Sequence, residues 1–405
     1  MAARLCSGED IQQDVGAEIH ATGNAGLAET FNHTIQLGKS TRFRIAYPNA
    51  RFIYVHFSKF DLPKGDSLTL STKETTVVYT GRGRRRKRNS GDDDDTSFYS
   101  DRLEGDAVNV LYKHHGGQTK GHYGVTIGSY IRGVPRMDRD GKSLVNPTCV
   151  SNEPSWKPAV CYKKSHPKAF ESSRALARMV TVGPAGAVAQ YSTGFLVGCD
   201  GYFLTNEHNV RTQDQVDSTD FGFLAASADC DDTCNRRALG CSHKLLVRGS
   251  ATLIAVGTTL DYALLRFHKA ARRQIDAIGI PYLRLRDATY RAETGDEIYI
   301  PQHPDGTAAK IVMTLKNGTK ATITSTHVTN KCGKDQLGYM AETIGGSSGS
   351  PVISMADHRV VGLHHCGECN TGSDGDMLRT AIPIHKILAH LQANQDIELP
   401  ACFSR

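Results

Sequence analysis

The sequence predicts an all-β protein built in two parts, and three observations predict it. Short apolar or alternating runs recur along most of the chain, broken by Gly, Pro and Asp. Helical periodicity is confined to one stretch near the end, "IPIHKILAHLQANQ". A segment rich in proline separates two series of such runs. At 405 residues the chain has room for two cores.

The first series is "FRIAY", "RFIYVHFS", "SLTLST", "TTVVYT", "AVNVLYKH" and "YGVTIGSYI". These predict a β-sandwich over residues 1–135, because strands of this length need a second sheet to cover their apolar face. Pro135, Pro147, Pro154, Pro158 and Pro167 mark residues 136–172 as a linker or extended arm. A second series opens near 175 with "ALARMVTV" and runs through "AVAQYSTGFLV", "GYFLTNEH", "KLLVRGSATLIAVG", "DYALLRF", "EIYIPQH", "KIVMTLK", "KATITSTHV" and "PVISMADHRVVGLHH". About a dozen short strands and one terminal helix over 173–405 predict a double β-barrel.

Composition excludes several classes. With 39% hydrophobic and 22% charged residues, the chain is ordinary globular protein. No apolar run approaches the roughly 20 residues of a membrane helix. No glycine-rich cofactor or phosphate loop appears. The start, "MAARLCSGEDIQQDVGAEIH", lacks the apolar core of an export signal. The 11 cysteines nonetheless argue for an oxidising compartment, and their odd number leaves one thiol over. Sequons at Asn32 and Asn317 fit a secreted glycoprotein. "RGRRRKR" (Arg82 to Arg88) is followed at once by "DDDD" (Asp92 to Asp95) and carries no interleaved aromatics. It reads as a solvated loop, not a nucleic-acid site.

Chemistry concentrates in "ETIGGSSGSPVIS", residues 342 to 354. Gly345 to Gly349 satisfies G-x-S-x-G, which would make Ser347 a nucleophile on a strand-to-helix turn. The residues that follow read as a β-hairpin instead, so Ser347 is rejected. Gly346 to Pro351 also satisfies G-x-S-G-x-P, the pattern of chymotrypsin-fold peptidases. Small residues there let the N–H groups of Gly346 and Ser348 converge on one point, where an oxyanion develops. Such a serine needs a base, and the base needs an orienting acid. His208 stands just past the strand "FLTNEH", and Asp261 opens "DYALLRF". The order His208, Asp261, Ser348 is that of the same peptidases, which selects Ser348.

Residues 173–395 resemble the trypsin-like peptidases, most closely the lysyl endopeptidase and glutamyl endopeptidase branches. "TGFLVGCDGYFLTNEH", "DYALLRF", "IPQHPDGTAAKI" and "GGSSGSPVISMADHRVVGLHH" carry the likeness. The segment around "RFIYVHFSKFDLPKGDSLTL" looks like a β-sandwich found ahead of some such proteases. The resemblance implies a chymotrypsin-like double six-stranded β-barrel with a C-terminal helix. It implies His208 as base, Asp261 as its carboxylate, Ser348 as nucleophile, and the Gly346 and Ser348 amides as oxyanion hole, with no cofactor and no metal. Asn209 and Ser192 stand where members often carry a bridging cysteine pair, and the I-V-G-G start of trypsin is absent.

Substrate preference is implied in two ways. Asp374 or Asp376 would read Lys or Arg before the scissile bond. His364 would instead help to bind a Glu side chain. By analogy Cys149 and Cys161 tether the arm to the catalytic domain. "HHCGEC" and "CDDTCNRRALGC" offer a rival zinc chemistry, which an exported protein would replace by disulfides. The expectation is a secreted, monomeric serine endopeptidase acting on proteins or peptides, preferably after Lys or Arg, with no nucleic-acid or membrane partner. The alternatives are a glutamyl-specific enzyme, a barrel that binds without chemistry, and an intracellular β-protein whose basic run meets acidic partners.

Overall fold

The computed structural model describes residues 4–5, 24–83, 97–116, 123–133, 154–182, 188–236, 238–367, 378–394 and 399–403. The chain divides into two compact units, Met1–Val145 with Val182–Ala189, and Asn146–Thr181 with Gln190–Arg405. Among the described residues, no helix is long and apolar enough to cross a membrane.

The first unit is a sandwich. Its strands β1 (Asn24–Ile35), β2 (Thr41–Ala46), β3 (Phe52–Asp61), β4 (Ser67–Ser71), β5 (Thr76–Thr80), β6 (Ala107–Lys113) and β7 (Gly124–Gly133) are divided between two sheets: β7 lies between β1 and β3 in one, while β2, β6, β4 and β5 run in that order in the other. Alternation along β4 buries Leu68 and Leu70 and turns the intervening residues outward. These pack with Ile45, Val108, Val110 and Tyr112 against Ile53, Val55, Phe57, Val125 and Ile127 of the opposite sheet. Each fully buried side chain of this size contributes roughly 1.5–3 kcal/mol.

Two barrels make up the second unit. The first is formed by β8 (Leu176–Val182), β9 (Val188–Leu196), β10 (Tyr202–Thr205), β11 (Asp220–Phe223), β12 (Leu245–Arg248), β13 (Ala251–Gly257) and β14 (Tyr262–Phe267). Its centre is aromatic. Phe203, Phe221 and Phe267 meet edge to face with ring centroids 5.2–5.5 Å apart. The second barrel takes β15 (Ile298–Gln302), β16 (Lys310–Val312), β17 (Ile323–Asn330), β18 (Gly333–Tyr339), β19 (Pro351–Ser354), β20 (Val360–Gly367) and β21 (Arg379–Pro383). The order is β16-β15-β19-β20-β21-β18-β17, and the Ile298 N–H to Ala321 O bond (2.9 Å) closes the ring beside β17. The architecture is the expected all-β sandwich followed by a chymotrypsin-like double barrel.

Helices are more numerous than periodicity alone predicts. The terminal helix is present at Ile384–Ala393 and buries Ile384, Ile387, Leu388 and Leu391. Pro167–Ser173, inside the segment read as an extended arm, form a helix whose Ala169 is fully buried. Lys269–Ala277 form another, anchored by only Ala271 and Ile275 one turn apart and ended by Gly279 at φ +65. Two apolar anchors in a charged stretch are too faint a stripe to stand out in sequence. The strands β1, β11, β18 and β21 were likewise not anticipated, and β21 takes Ile382 and Pro383 from the stretch expected to be helical. β1 buries little of its length, and β11 is four residues long.

Eight cysteines pair among the described residues: Cys161–Cys230, Cys199–Cys402, Cys234–Cys241 and Cys332–Cys366. Cys161 thus ties the segment ahead of the barrels to Cys230. Cys149, Cys369 and most of the basic and acidic runs lie outside the described residues. Asp232, Cys234 and Cys241 approach one another as metal ligands would. The two sulfurs are joined to each other, however, and offer no thiolate to zinc.

Candidate active site

Three turns bring the sequence-predicted residues toward one place. His208 follows β10, where the chain turns back through Asn209 N–H to Asn206 O (3.3 Å). Asp261 sits between a 3₁₀ turn and β14 in the left-handed region, φ 43 and ψ 50, which an aspartate tolerates better than a branched residue. That turn aims the carboxylate at His208. Oδ2 faces the imidazole Nδ1 at 2.7 Å, and Oδ1 accepts the His208 backbone N–H at 2.9 Å. Asn206 Nδ2 donates to the Asp261 carbonyl at 2.9 Å and fixes the second turn to the first.

Burial pushes the Asp261 carboxyl up, but hydrogen bonds from His208 and His365, with the charge of His208, outweigh it and hold the carboxyl well below the usual carboxylate range. It is therefore an anion at neutral pH. With the carboxylate at Nδ1, the ring carries its hydrogen there and leaves Nε2 as the basic atom. Nε2 has no hydrogen-bond partner among the described residues, and the His208 side chain is 37% exposed.

Ser348 lies in a turn that only glycine can flank. Gly346 has φ +94 and Gly349 φ +87. A Cβ on Gly346 would come within 2.5 Å of Asp305 N, and one on Gly349 would collide with Thr193 O. The two neighbouring serines differ in kind. Ser347 is fully buried, and its hydroxyl accepts the Ile344 N–H at 3.2 Å. Ser348 is half-buried, and its carbonyl takes Thr193 N–H (2.9 Å) and Asn209 Nδ2 (3.2 Å). Among the described residues the Gly346 and Ser348 N–H groups have no acceptor, so both remain available to a ligand oxygen. No direct Ser348 Oγ bond to His208 is formed among these residues; in unliganded hydrolases such bonds are commonly loose and tighten with substrate.

Thr193, which sequence patterns did not single out, links the two halves. Its hydroxyl donates to Gly346 O (2.8 Å) and accepts His303 N–H (3.0 Å), while its carbonyl accepts Thr205 Oγ1 (2.8 Å). Asn209, noted only as a missing cysteine, donates to Thr205 Oγ1 (3.0 Å) as well as to Ser348 O. Ser192 does not reach Asn209: its buried hydroxyl has no partner among the described residues.

His364 backs the serine turn through Gly349 N–H to His364 O and His364 N–H to Ser350 O, each 2.9 Å. Burial, then His365 and Arg379 nearby, push its imidazole down to about 3, so the ring is neutral. Nδ1 meets Tyr339 Oη at 2.7 Å. Arg379 is buried too, with Glu342 among the charges acting on it. Both charged residues were missed in sequence because neither belongs to a recognisable pattern. Asp374 and Asp376 lie outside the described residues. His365 was also missed, and it contacts Asp261 directly: its Nδ1 is 3.1 Å from Oδ2.

Residues 192–363, which include His208, Asp261 and Ser348, match the trypsin-like peptidase domain. Secreted RxLR effector protein 73 of Plasmopara viticola is 31% identical over 356 residues, covering 87% of this chain and 82% of that protein. Uncharacterized protein y4fB of Sinorhizobium fredii is 28% identical over 204 residues, 48% of this chain and 28% of its own length. The solved structure of the HtrA-type protease AlgW with a tripeptide matches with TM-score 0.39 and 16% identity, over 56% of this chain and 61% of that one. The chain therefore belongs to the family of the secreted RxLR effector protein 73 of Plasmopara viticola, and its residues 192–363 form a trypsin-like peptidase domain.

Proposed function

We propose that the chain is a secreted serine endopeptidase working through His208, Asp261 and Ser348. The observation that carries this is the His208–Asp261 pair, joined by two hydrogen bonds and tied through Asn209 to the turn of an accessible serine. Ser348 Oγ attacks the scissile carbonyl carbon as its proton passes to His208 Nε2. The carbonyl oxygen becomes an oxyanion and takes the N–H groups of Gly346 and Ser348. Collapse expels the amine, which receives the proton from Nε2 and leaves an acyl-Ser348 ester. Water then repeats the sequence, and the carboxylic acid departs. Asp261 keeps the imidazole in the tautomer that this requires and balances its charge when it is protonated.

Side-chain preference follows the groups beside the serine turn. A neutral His364 ring beside the serine turn favours a carboxylate or carbonyl-bearing side chain, such as Glu, over Lys or Arg. The basic preference expected from Asp374 and Asp376 draws on no described residue. Export is supported by the four disulfides and by the secreted relative. The sequon residues Asn32 and Asn317 are both exposed, as glycosylation requires.

A panel of peptides varied only at the residue before the scissile bond tests both parts. Cleavage after Glu, lost by about 10⁴-fold in Asp261→Asn, is the expected result. Cleavage after Lys or Arg would remove the His364 assignment and keep the enzyme; equal turnover by Asp261→Asn would remove the triad.

A further inference from the structure

We propose that His365 is a positioning residue that fixes the Asp261 carboxylate, a second histidine donating to the oxygen already shared with His208. The proposal rests on the triad reading above. Asp261 Oδ2 faces His208 Nδ1 at 2.7 Å and His365 Nδ1 at 3.1 Å. The two rings are not equivalent. His208 is 37% exposed at its side chain, whereas His365 is 2% exposed and sealed from substrate. One ring is free to exchange protons with a reacting group; the other holds the acid still.

A directional chain of hydrogen bonds orients His365. Cys332 N–H donates to Asn330 Oδ1 at 2.9 Å, which settles which end of that amide is oxygen. Gln336 Nε2 donates to the same oxygen at 3.0 Å, so its Oε1 is turned away, toward His365 Nε2 at 2.5 Å. An amide oxygen only accepts. His365 Nε2 must therefore donate, and Nδ1 faces a carboxylate that also only accepts. The set of bonds is complete only when both ring nitrogens carry hydrogen. The Thr380 hydroxyl, 3.4 Å from Nε2, is compatible with this because it also accepts.

The chain is built on rigid parts. His365 lies on β20 and Gln336 on β18, with Gln336 fully buried. The Cys332–Cys366 disulfide ties the turn between β17 and β18 to the residue after His365. The assembly runs from a backbone N–H to the carboxylate without an exposed link, which is the support that a precisely aimed group needs.

The test combines kinetics with a count of ring protons on the full chain. His365→Leu is expected to lower kcat about 10- to 100-fold, the loss of one hydrogen bond to a charged group, with KM within about twofold. His365→Asn, whose Nδ2 occupies the place of Nδ1, should recover most of the loss, as a merely space-filling role would not allow. Nitrogen-15 spectra of histidine-labelled wild type should show hydrogen on both His365 nitrogens, and Asp261→Asn should move the Nδ1 signal. A folded His365→Leu chain with wild-type kcat, or a His365 ring bearing one hydrogen, overturns the proposal. If His365→Leu does not fold, the proton count decides. A wild type that cleaves no peptide sinks the triad reading instead, and the proposal then stands or falls on the same count.

Discussion

At the scale of single residues, the site is held by hydroxyls and amides that carry no motif. Thr193 is the clearest case: its buried hydroxyl satisfies both Gly346 O and His303 N–H. Thr193→Val keeps the shape and removes both bonds, leaving two buried groups unpaired. Urea denaturation should show a loss of about 2–3 kcal/mol; a change under 0.5 kcal/mol would mean that neither bond matters. Ser347→Ala, by contrast, removes one acceptor and should leave turnover intact. His208, Asp261 and Ser348 were legible because each sits at the edge of an apolar strand and their order is distinctive. Thr193, Gln336 and His365 were not, because their roles arise only when strands far apart in sequence become neighbours.

At the scale of elements, the serine turn is the least forgiving. Gly349 takes φ +87, and any Cβ there meets the Thr193 carbonyl and Thr205 Oγ1. Gly349→Ala should cost at least about 1–3 kcal/mol of stability, from backbone strain alone. Turnover should fall roughly 100-fold or more, because the Ser348 N–H and Oγ move together. Thermal melting and kcat on the same preparation check this; unchanged values would show that the turn relaxes freely. Strand pattern made the two series of β-elements readable, since burial alternates or runs continuous along them. The helix Lys269–Ala277 and the helix at Pro167–Ser173 stayed hidden for a physical reason. Each is short, and packing of two or three side chains (Ala271 and Ile275 in one, Ala169, Ser172 and Ser173 in the other), not a broad apolar face, holds it in place.

At the scale of the whole molecule, buried titratable groups set the response to acid. His303 and His364 are both pushed down to about 3, chiefly by burial, so they stay neutral when folded. Unfolded, each binds a proton below about pH 6.5. The unfolded state then holds more protons, so stability falls with falling pH by about 1.4 kcal/mol per unit for each histidine until their folded values are reached. Asp261 acts in the same direction lower down: its depressed carboxyl contributes stability above about pH 3.9 that is lost as pH falls further. Melting temperature should therefore drop steadily between pH 7 and pH 4, and a flat profile would contradict the neutral burial of His303 and His364. The Cys199–Cys402 bridge closes a span of 203 residues and ties the last described segment to the first barrel. Loop entropy assigns it roughly 5 kcal/mol. The double variant Cys199→Ser with Cys402→Ser should melt well below wild type; an equal melting point would show that the bridge adds nothing.

The measurement that bears most directly on the central claim is fluorophosphonate labelling of the intact chain, followed by identification of the modified peptide. Only a serine whose proton is taken by a positioned base reacts readily. Wild type and Ser347→Ala should be labelled at Ser348, while Ser348→Ala and Asp261→Asn should not be. Folded wild type that resists the reagent, or a label that persists in Ser348→Ala, would contradict a working triad at His208, Asp261 and Ser348.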